Sequence, residues 1–195
     1  MRSHPIDGID VGFSMPDVLV SKMPAMDREG LEITERIEEI LMMCAREHPV
    51  YEQITSFSIA LYALGFFDCP DLMGVQDVDS HEAALVLNEH FKEIKAEALP
   101  SVYHIAESKE KYLLVVGDPQ YPIHFAVLVD AGSSRPFFSK LPFFGSGFDS
   151  LDELINEFVG IDGMTREDLH FFKKNGYGEI PPESRGKIYI VKNDQ

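Results

Sequence analysis

The apolar pattern of this chain changes its period near residue 100, and that change limits the folds open to it. Before that point, apolar residues recur every three or four positions, which is typical of helices. After it, short apolar runs are separated by turn-rich stretches such as ESKE, GDPQYP and AGSSRP. Because a parallel crossover needs a dozen or more residues, these short connections predict antiparallel neighbours. The pattern therefore predicts an α+β fold.

In this prediction, N-terminal helices pack on a mainly antiparallel sheet of about five strands, with two C-terminal helices. Predicted helices cover 28–47, 54–64 and 80–98; two more follow the capping residues Ser150 and Thr165, and the last ends at Asn175-Gly176. Predicted strands cover 102–106, 112–116, 123–129, 137–143 and the closing KIYIVK, 187–192. Pro136 and Pro142 place the fourth strand at an edge, because proline cannot donate a ladder hydrogen bond.

The 195 residues suit a single domain. Residues 1–26 lack a clean period and hold several prolines and glycines, which predicts an extended N-terminal arm. Residues 27–195 are the predicted α+β domain, helical over 27–99 and sheet-rich over 100–195. The helix over 54–64 is apolar on nearly every side, so we expect it in the middle of the core. The outer face of the first helix, which carries Arg46, is expected to be solvated.

Charge is the strongest compositional signal, since 33 acidic and 17 basic residues give a net charge of −16. The acids are densest over 68–97, where only Lys92 and Lys95 oppose them. Such a surface repels nucleic acid and anionic membranes, and it attracts basic proteins. Solubility alone also accounts for a charge excess. The candidate binding residues in this stretch are Asp68, Asp71, Asp77, Asp79, Glu82, Glu89 and Glu93.

Five phenylalanines lie within RPFFSKLPFFGSGF, residues 135–148. A strand with phenylalanine at adjacent positions buries one ring and presents the other. On an edge strand, this arrangement predicts either a covering element or a protein partner. Phe138 and Phe144 are the candidate contact residues of this segment.

His124 and Cys69 are the candidate catalytic residues. His124 opens the apolar run HFAVLV, and this position resembles the histidine strand of papain-like Cys–His hydrolases, where a cysteine on a helix faces the imidazole. In that family the cysteine opens the buried central helix, whereas here that end reads YEQITS, 51–56. Cys69 lies in the loop FDCPD, where two aspartates are expected to raise the pKa of the thiol. The interpretation we favour is a histidine that is hydrogen-bonded at the entrance to a strand.

Other chemistry has little support in the sequence. There is no phosphate-binding loop, no histidine pair at metal-binding spacing and no complete calcium loop, so we expect no metal and no cofactor. Cys44 lies on the apolar stripe of its helix, which predicts a buried thiol. No run of about 18 apolar residues occurs, so no membrane span is expected. Two cysteines without a secretory signal are typical of a cytoplasmic protein.

These observations favour a non-catalytic, acidic interaction protein of the immunity, inhibitor or chaperone type that binds a basic protein. Two alternatives remain open at this point. One is a hydrolase or transferase that uses His124 with Cys69 or with an acid from another segment. The other is a carrier of small apolar ligands, for which a cavity beneath the Phe-rich strand would be the sign.

Overall fold

A six-stranded antiparallel sheet organises the computed structural model, which describes residues 26–47, 54–67 and 77–176. The helices within these ranges are α1 (Arg28–Met43), α2 (Ser56–Ala63), α3 (Ser80–His90) and α4 (Leu151–Phe158). The strands are β1 (Phe91–Ile94), β2 (Tyr112–Val116), β3 (His124–Leu128), β4 (Phe137–Lys140), β5 (Ser146–Asp149) and β6 (Leu169–Lys174). Their order in the sheet is β1-β6-β2-β3-β4-β5. The predicted α+β class is confirmed.

Helix starts follow the capping residues of the sequence. The side chain of Asp27 accepts a hydrogen bond from the backbone N–H of Gly30 at 3.0 Å, which opens α1. Ser150 caps α4, as predicted, and forms a capping box with Glu153. All eight residues of α2 are buried, which confirms a helix in the middle of the core. The predicted arm, 1–26, lies outside the described residues apart from Met26.

Two predicted helices are wrong in part, because a segment of each forms a strand and the two strands pair with each other. The helix predicted over 80–98 ends at His90 and continues as strand β1; the helix predicted from Thr165 is a short 3₁₀ turn followed by strand β6. These two strands pair with each other, with Phe91 opposite Lys174 and Ile94 opposite Phe171. The backbone N–H and C=O groups of each segment form hydrogen bonds with the other segment. A local apolar pattern does not show that such a distant partner exists.

The predicted strands also need correction. Residues 102–106 form no strand, although His104 makes an isolated bridge to Asp130. Strand β4 lies inside the sheet between β3 and β5, so the predicted edge position is wrong. Pro136 and Pro142 flank β4 and lie outside its pairing residues, so their missing N–H groups cost the ladder nothing. The strand predicted over 187–192 lies outside the described residues.

Helices cover both faces of the sheet near β3. On one face, Phe57 of α2 packs edge-on against Phe125, with ring centroids 4.9 Å apart. Successive residues of a strand point to opposite faces, so His124 points away from α2. On that second face its ring lies against Phe158 of α4, with centroids 4.6 Å apart. The fold therefore encloses the candidate histidine between the sheet and α4.

Candidate functional site

His124 is enclosed, with 1% of its surface exposed. It lies opposite Val116 in the pairing of β2 with β3. Its Nε2 atom has no hydrogen-bond partner among the described residues. No cysteine thiol or hydroxyl of these residues therefore lies within bonding distance of that nitrogen, and Cys69 lies outside the described residues.

The surroundings of His124 disfavour its charged form. Burial, reinforced by the positive charges of Arg46 and Lys140, lowers the pKa of the imidazole to about 3. A general base that works near neutral pH has a pKa close to that pH and a path to the proton it removes. His124 has neither property, so its geometry is that of a neutral core residue.

A partly buried ion pair, with Asp149 buried and Arg46 partly exposed, lies on the same face of the sheet. Both carboxylate oxygens of Asp149 accept hydrogen bonds from the guanidinium of Arg46, with Nη2 to Oδ2 at 2.7 Å, and Oδ2 also accepts from the Ser139 hydroxyl at 3.2 Å. The pair joins the segment after α1 to strand β5. The prediction that Arg46 is solvated is therefore wrong. Its partner lies 103 positions away, and no local pattern signals a contact at that separation.

The predicted acidic residues have separate local contacts. Asp77 accepts hydrogen bonds from the Thr55 backbone, the Thr55 hydroxyl and the Ser58 hydroxyl, so it fixes the start of α2. Asp79 and Glu82 form the capping box of α3. These three carboxylates therefore stabilise helix starts.

The remaining predicted acids are dispersed. Glu93 contacts His170, with Oε1 and Nδ1 2.8 Å apart, and Glu89 lies 3.8 Å from the ring of His90. Asp68 and Asp71 lie outside the described residues. Within the described part of the chain, the acids of 68–97 that were predicted as binding residues therefore lie on α3, on β1 and on the segment before α3.

Three connections meet at one end of the sheet, which we call the loop end: residues 117–123 between β2 and β3, 141–145 between β4 and β5, and 161–168 before β6. The backbone N–H of Gly117 donates to the carbonyl of Asp168 at 2.8 Å, which joins the first and third segments. The Ser80 hydroxyl donates to the Pro122 carbonyl at 2.8 Å. The start of α3, with Asp79 and Glu82, therefore lies beside the loop end.

Large apolar side chains are exposed at the loop end. Those of this region are Tyr121, Ile123, Phe143, Phe144 and Ile161. The most exposed are Phe143 at 83% and Tyr121 at 69%. Phe143 also has a positive φ of 63°, a conformation that bulky residues rarely adopt. A strained loop that presents an aromatic ring to solvent is more typical of a contact surface than of a loop selected for stability.

The predicted Phe-rich residues divide between core and surface. Phe138 is fully buried and packs against Phe148, with centroids 5.4 Å apart. Phe144 is half exposed at the loop end. Because Phe137 is buried as well, the expectation that one of two adjacent rings faces solvent is wrong for this pair. The interior position of β4, covered on both faces, is the reason.

The connecting segments of the loop end hold more acidic than basic residues. Among the loop-end residues whose side chains the structure describes, Asp118, Glu167 and Asp168 are acidic and Arg166 is basic. Hydrogen bonds from the backbone N–H and the hydroxyl of Thr165 hold the pKa of Asp168 below its usual range. The loop end is therefore negatively charged at neutral pH.

The described residues offer no other obvious chemistry. No group of three or more His, Cys, Asp or Glu side chains in the described ranges could hold a metal ion. No helix in the same ranges has the length and apolar character needed to cross a bilayer. In comparisons with known proteins, no family model, curated protein or solved structure matches this chain.

Proposed function

We propose that this protein is a non-catalytic interaction protein that binds a basic protein partner through the loop end. The observation that carries the proposal is the set of exposed aromatic and aliphatic side chains, led by Tyr121 and Phe143, at an end of the sheet whose connecting segments hold more acids than bases. Protein interfaces commonly have an aromatic centre and a polar rim. A negative rim selects a positively charged surface and speeds the encounter with it.

The composition of the whole chain supports the same partner class. At a net charge of −16, the protein repels other acidic macromolecules over long range. Two of the acids predicted as binding residues, Asp79 and Glu82, adjoin the loop end through the contact of Ser80 with Pro122. The proposed surface therefore replaces the predicted continuous stretch, 68–97, with residues that converge from several segments.

The environment of His124 supports a non-catalytic role. The imidazole is enclosed between β3 and α4, and its Nε2 has no partner in the part of the chain that the structure describes. A Cys–His or Ser–His mechanism needs a nucleophile beside the ring and a path for substrate.

The experiment compares capture of partners from an extract of the native host by the full chain and by matched variants. Phe143→Ser removes an aromatic ring from the loop end. Val102→Ser is the control, because Val102 is 90% exposed and lies beside His104, outside the loop end. We expect a basic protein to be retained by the wild type and by Val102→Ser, and to fall at least tenfold with Phe143→Ser, as for an interface hot spot.

A salt series tests the electrostatic part of the proposal. Capture at about 50 mM salt should exceed capture at about 500 mM, because exposed charges are screened within a few ångströms at the higher concentration. Asp118→Lys with Glu167→Lys should weaken capture and reduce its salt dependence. Equal capture by all the variants, or capture that salt does not alter, contradicts the proposal.

A further inference from the structure

A cavity of about 670 Å³ lies at the opposite end of the sheet, which we call the cavity end. It forms where α1 begins, α2 and α3 end, β2 begins and β6 ends. Pockets for small ligands commonly measure about 300–1,000 Å³. The size therefore suits a small molecule better than a protein segment.

The charge of this cavity is opposite to that of the chain. Lys109, Lys111 and Lys174 line it, together with the two acids Asp27 and Glu29. Three positive and two negative side chains leave a balance of +1 in a protein whose net charge is −16. A cationic recess in an acidic protein attracts small anions locally, although the rest of the surface repels them.

The ammonium of Lys111 uses all three of its donors, and that of Lys174 uses two. The ammonium of Lys111 donates to Asp27 Oδ2 at 2.9 Å and to the carbonyls of Ile105 and Ser108. The ammonium of Lys174 donates to Glu29 Oε1 at 2.6 Å and to the Leu64 carbonyl at 3.2 Å. Since an ammonium has three donors, little capacity remains on either group for a ligand.

Lys109 differs from these two lysines. Its side chain is exposed, and it forms no hydrogen bond or ion pair with any residue that the structure describes. It is therefore the ammonium of the cavity that is available to an anion. Asp27 interacts electrostatically with both Lys109 and Lys111, and Glu29 pairs with Lys174, so the five charged side chains leave the cavity a balance of about one positive charge.

The remaining wall suits a flat ring. Phe66 and His90 contact each other, with ring centroids 5.1 Å apart and ring planes tilted by 55°. The Lys174 ammonium lies over the Phe66 ring, 5.0 Å from its centroid, and Phe91 packs against the same ring with centroids 5.7 Å apart. An aromatic ligand can contact these rings while its acidic group reaches Lys109.

We propose that the cavity end binds a small aromatic monoanion, such as an aromatic carboxylate, with its acidic group on Lys109 and its ring against Phe66 and His90. A dianion is disfavoured by the neighbouring carboxylates of Asp27 and Glu29. This site is independent of the proposed protein-binding surface, because the two lie at opposite ends of the strands.

The test is a fluorescence titration of the full chain with 8-anilinonaphthalene-1-sulfonate, an aromatic monoanion. N-phenyl-1-naphthylamine, which has the same rings without the charge, is the second probe. We expect Lys109→Met to weaken binding of the anionic probe about three- to tenfold, as for loss of one exposed charge contact, and to leave the neutral probe unchanged. Lys95→Met, which removes an exposed lysine far from the cavity, should change neither.

A second variant and a competitor locate the probe. Phe66→Leu should weaken both probes, and 2-naphthoate should displace the anionic probe from the wild type. The proposal is overturned if the anionic probe does not bind the full chain or binds Lys109→Met as tightly as the wild type. It is also overturned if Phe143→Ser abolishes the signal, since the probe then binds at the loop end.

Discussion

Lys111 at the cavity end and His124 at the loop end are both about 1% exposed, and their surroundings differ. The ammonium of Lys111 has a carboxylate and two carbonyls as acceptors. The imidazole of His124 packs against Phe158, and its Nε2 is unpartnered among the described residues. A buried ionisable group is either charged and paired with partners or held neutral. Lys111 at the cavity end is the first case, and His124 at the loop end is the second.

The same contrast extends to the surface. At the cavity end, positive and negative side chains lie close enough to neutralise each other, as in the pairs of Lys111 with Asp27 and Lys174 with Glu29. At the loop end, the acids have few bases near them and the apolar rings are exposed. Charged side chains at the cavity end therefore pair with each other, whereas the loop end exposes apolar side chains and an excess of acids to solvent.

The largest expected effect comes from removing the charge that compensates Lys111. Burial by itself would raise the pKa of Asp27. Hydrogen bonds from Lys111 and Gly30 together outweigh that effect, so the pKa of Asp27 in the folded protein lies below its usual value. Asp27→Asn keeps a good N-cap and leaves the Lys111 ammonium without its anion. We expect the free energy of unfolding at pH 7 to fall by about 3 kcal/mol, measured by urea unfolding.

The matched control for that variant is Asp79→Asn. Asp79 also caps a helix, but no ion pair with a base joins it in the described ranges. The same substitution should cost less than about 1 kcal/mol there. Equal losses in the two variants would show that capping, and not compensation of a buried charge, accounts for the role of Asp27.

The next effect depends on pH and concerns His124. Its pKa is about 3 in the folded protein, against an ordinary value of 6.5, so the unfolded chain binds the proton first as the pH falls. The free energy of unfolding should therefore decrease by roughly 1.4 kcal/mol per pH unit below about pH 6.5, until the folded pKa is reached. Above pH 6.5 this contribution is absent.

His124→Phe removes that titration. Relative to the wild type, the variant should gain about 2 kcal/mol in the free energy of unfolding between pH 7 and pH 5, measured by urea unfolding at each pH. His81→Gln, which removes an exposed imidazole, should leave the slope unchanged. A difference that stays constant over this range would mean that His124 takes up its proton inside the folded protein.

The smallest expected effect concerns strain at the loop end. Phe143→Gly places at φ 63° a residue that adopts this conformation freely, so the free energy of unfolding should rise by up to about 1 kcal/mol. The same variant should lose capture of the proposed partner. A variant that is destabilised would show that the Phe143 ring supports the loop, which would count against its role as an exposed contact.

Local sequence was sufficient for the elements whose signals lie within a few residues. The cap Ser150 acts over three positions, and the structure has it as predicted. The apolar run of α2 specified a fully buried helix, and 112–116 matches β2. In each case the determining contacts are close in sequence or depend on burial alone.

The candidate sites were less accessible to sequence reasoning. His124 was identified as a residue to examine, but its lack of a partner for Nε2 depends on which side chains other segments bring to it. The acids of 68–97 were visible, whereas Asp118, Glu167 and Asp168 were not singled out because they lie in two separate turns. The cavity end likewise collects Phe66, Lys109 and Lys174 from three distant segments.

By itself, the sequence determined the α+β class, the helix cap at Ser150, the apolar central helix and the excess of negative charge, because each of these depends on composition or on residues a few positions apart. Tertiary structure decided that 91–94 and 169–174 are strands, that Arg46 pairs with Asp149, and that the two ends of the sheet differ in charge. The physical reason is that strand pairing and ion pairing draw their partners from far along the chain, so the energy that selects them is absent until the fold brings those partners together.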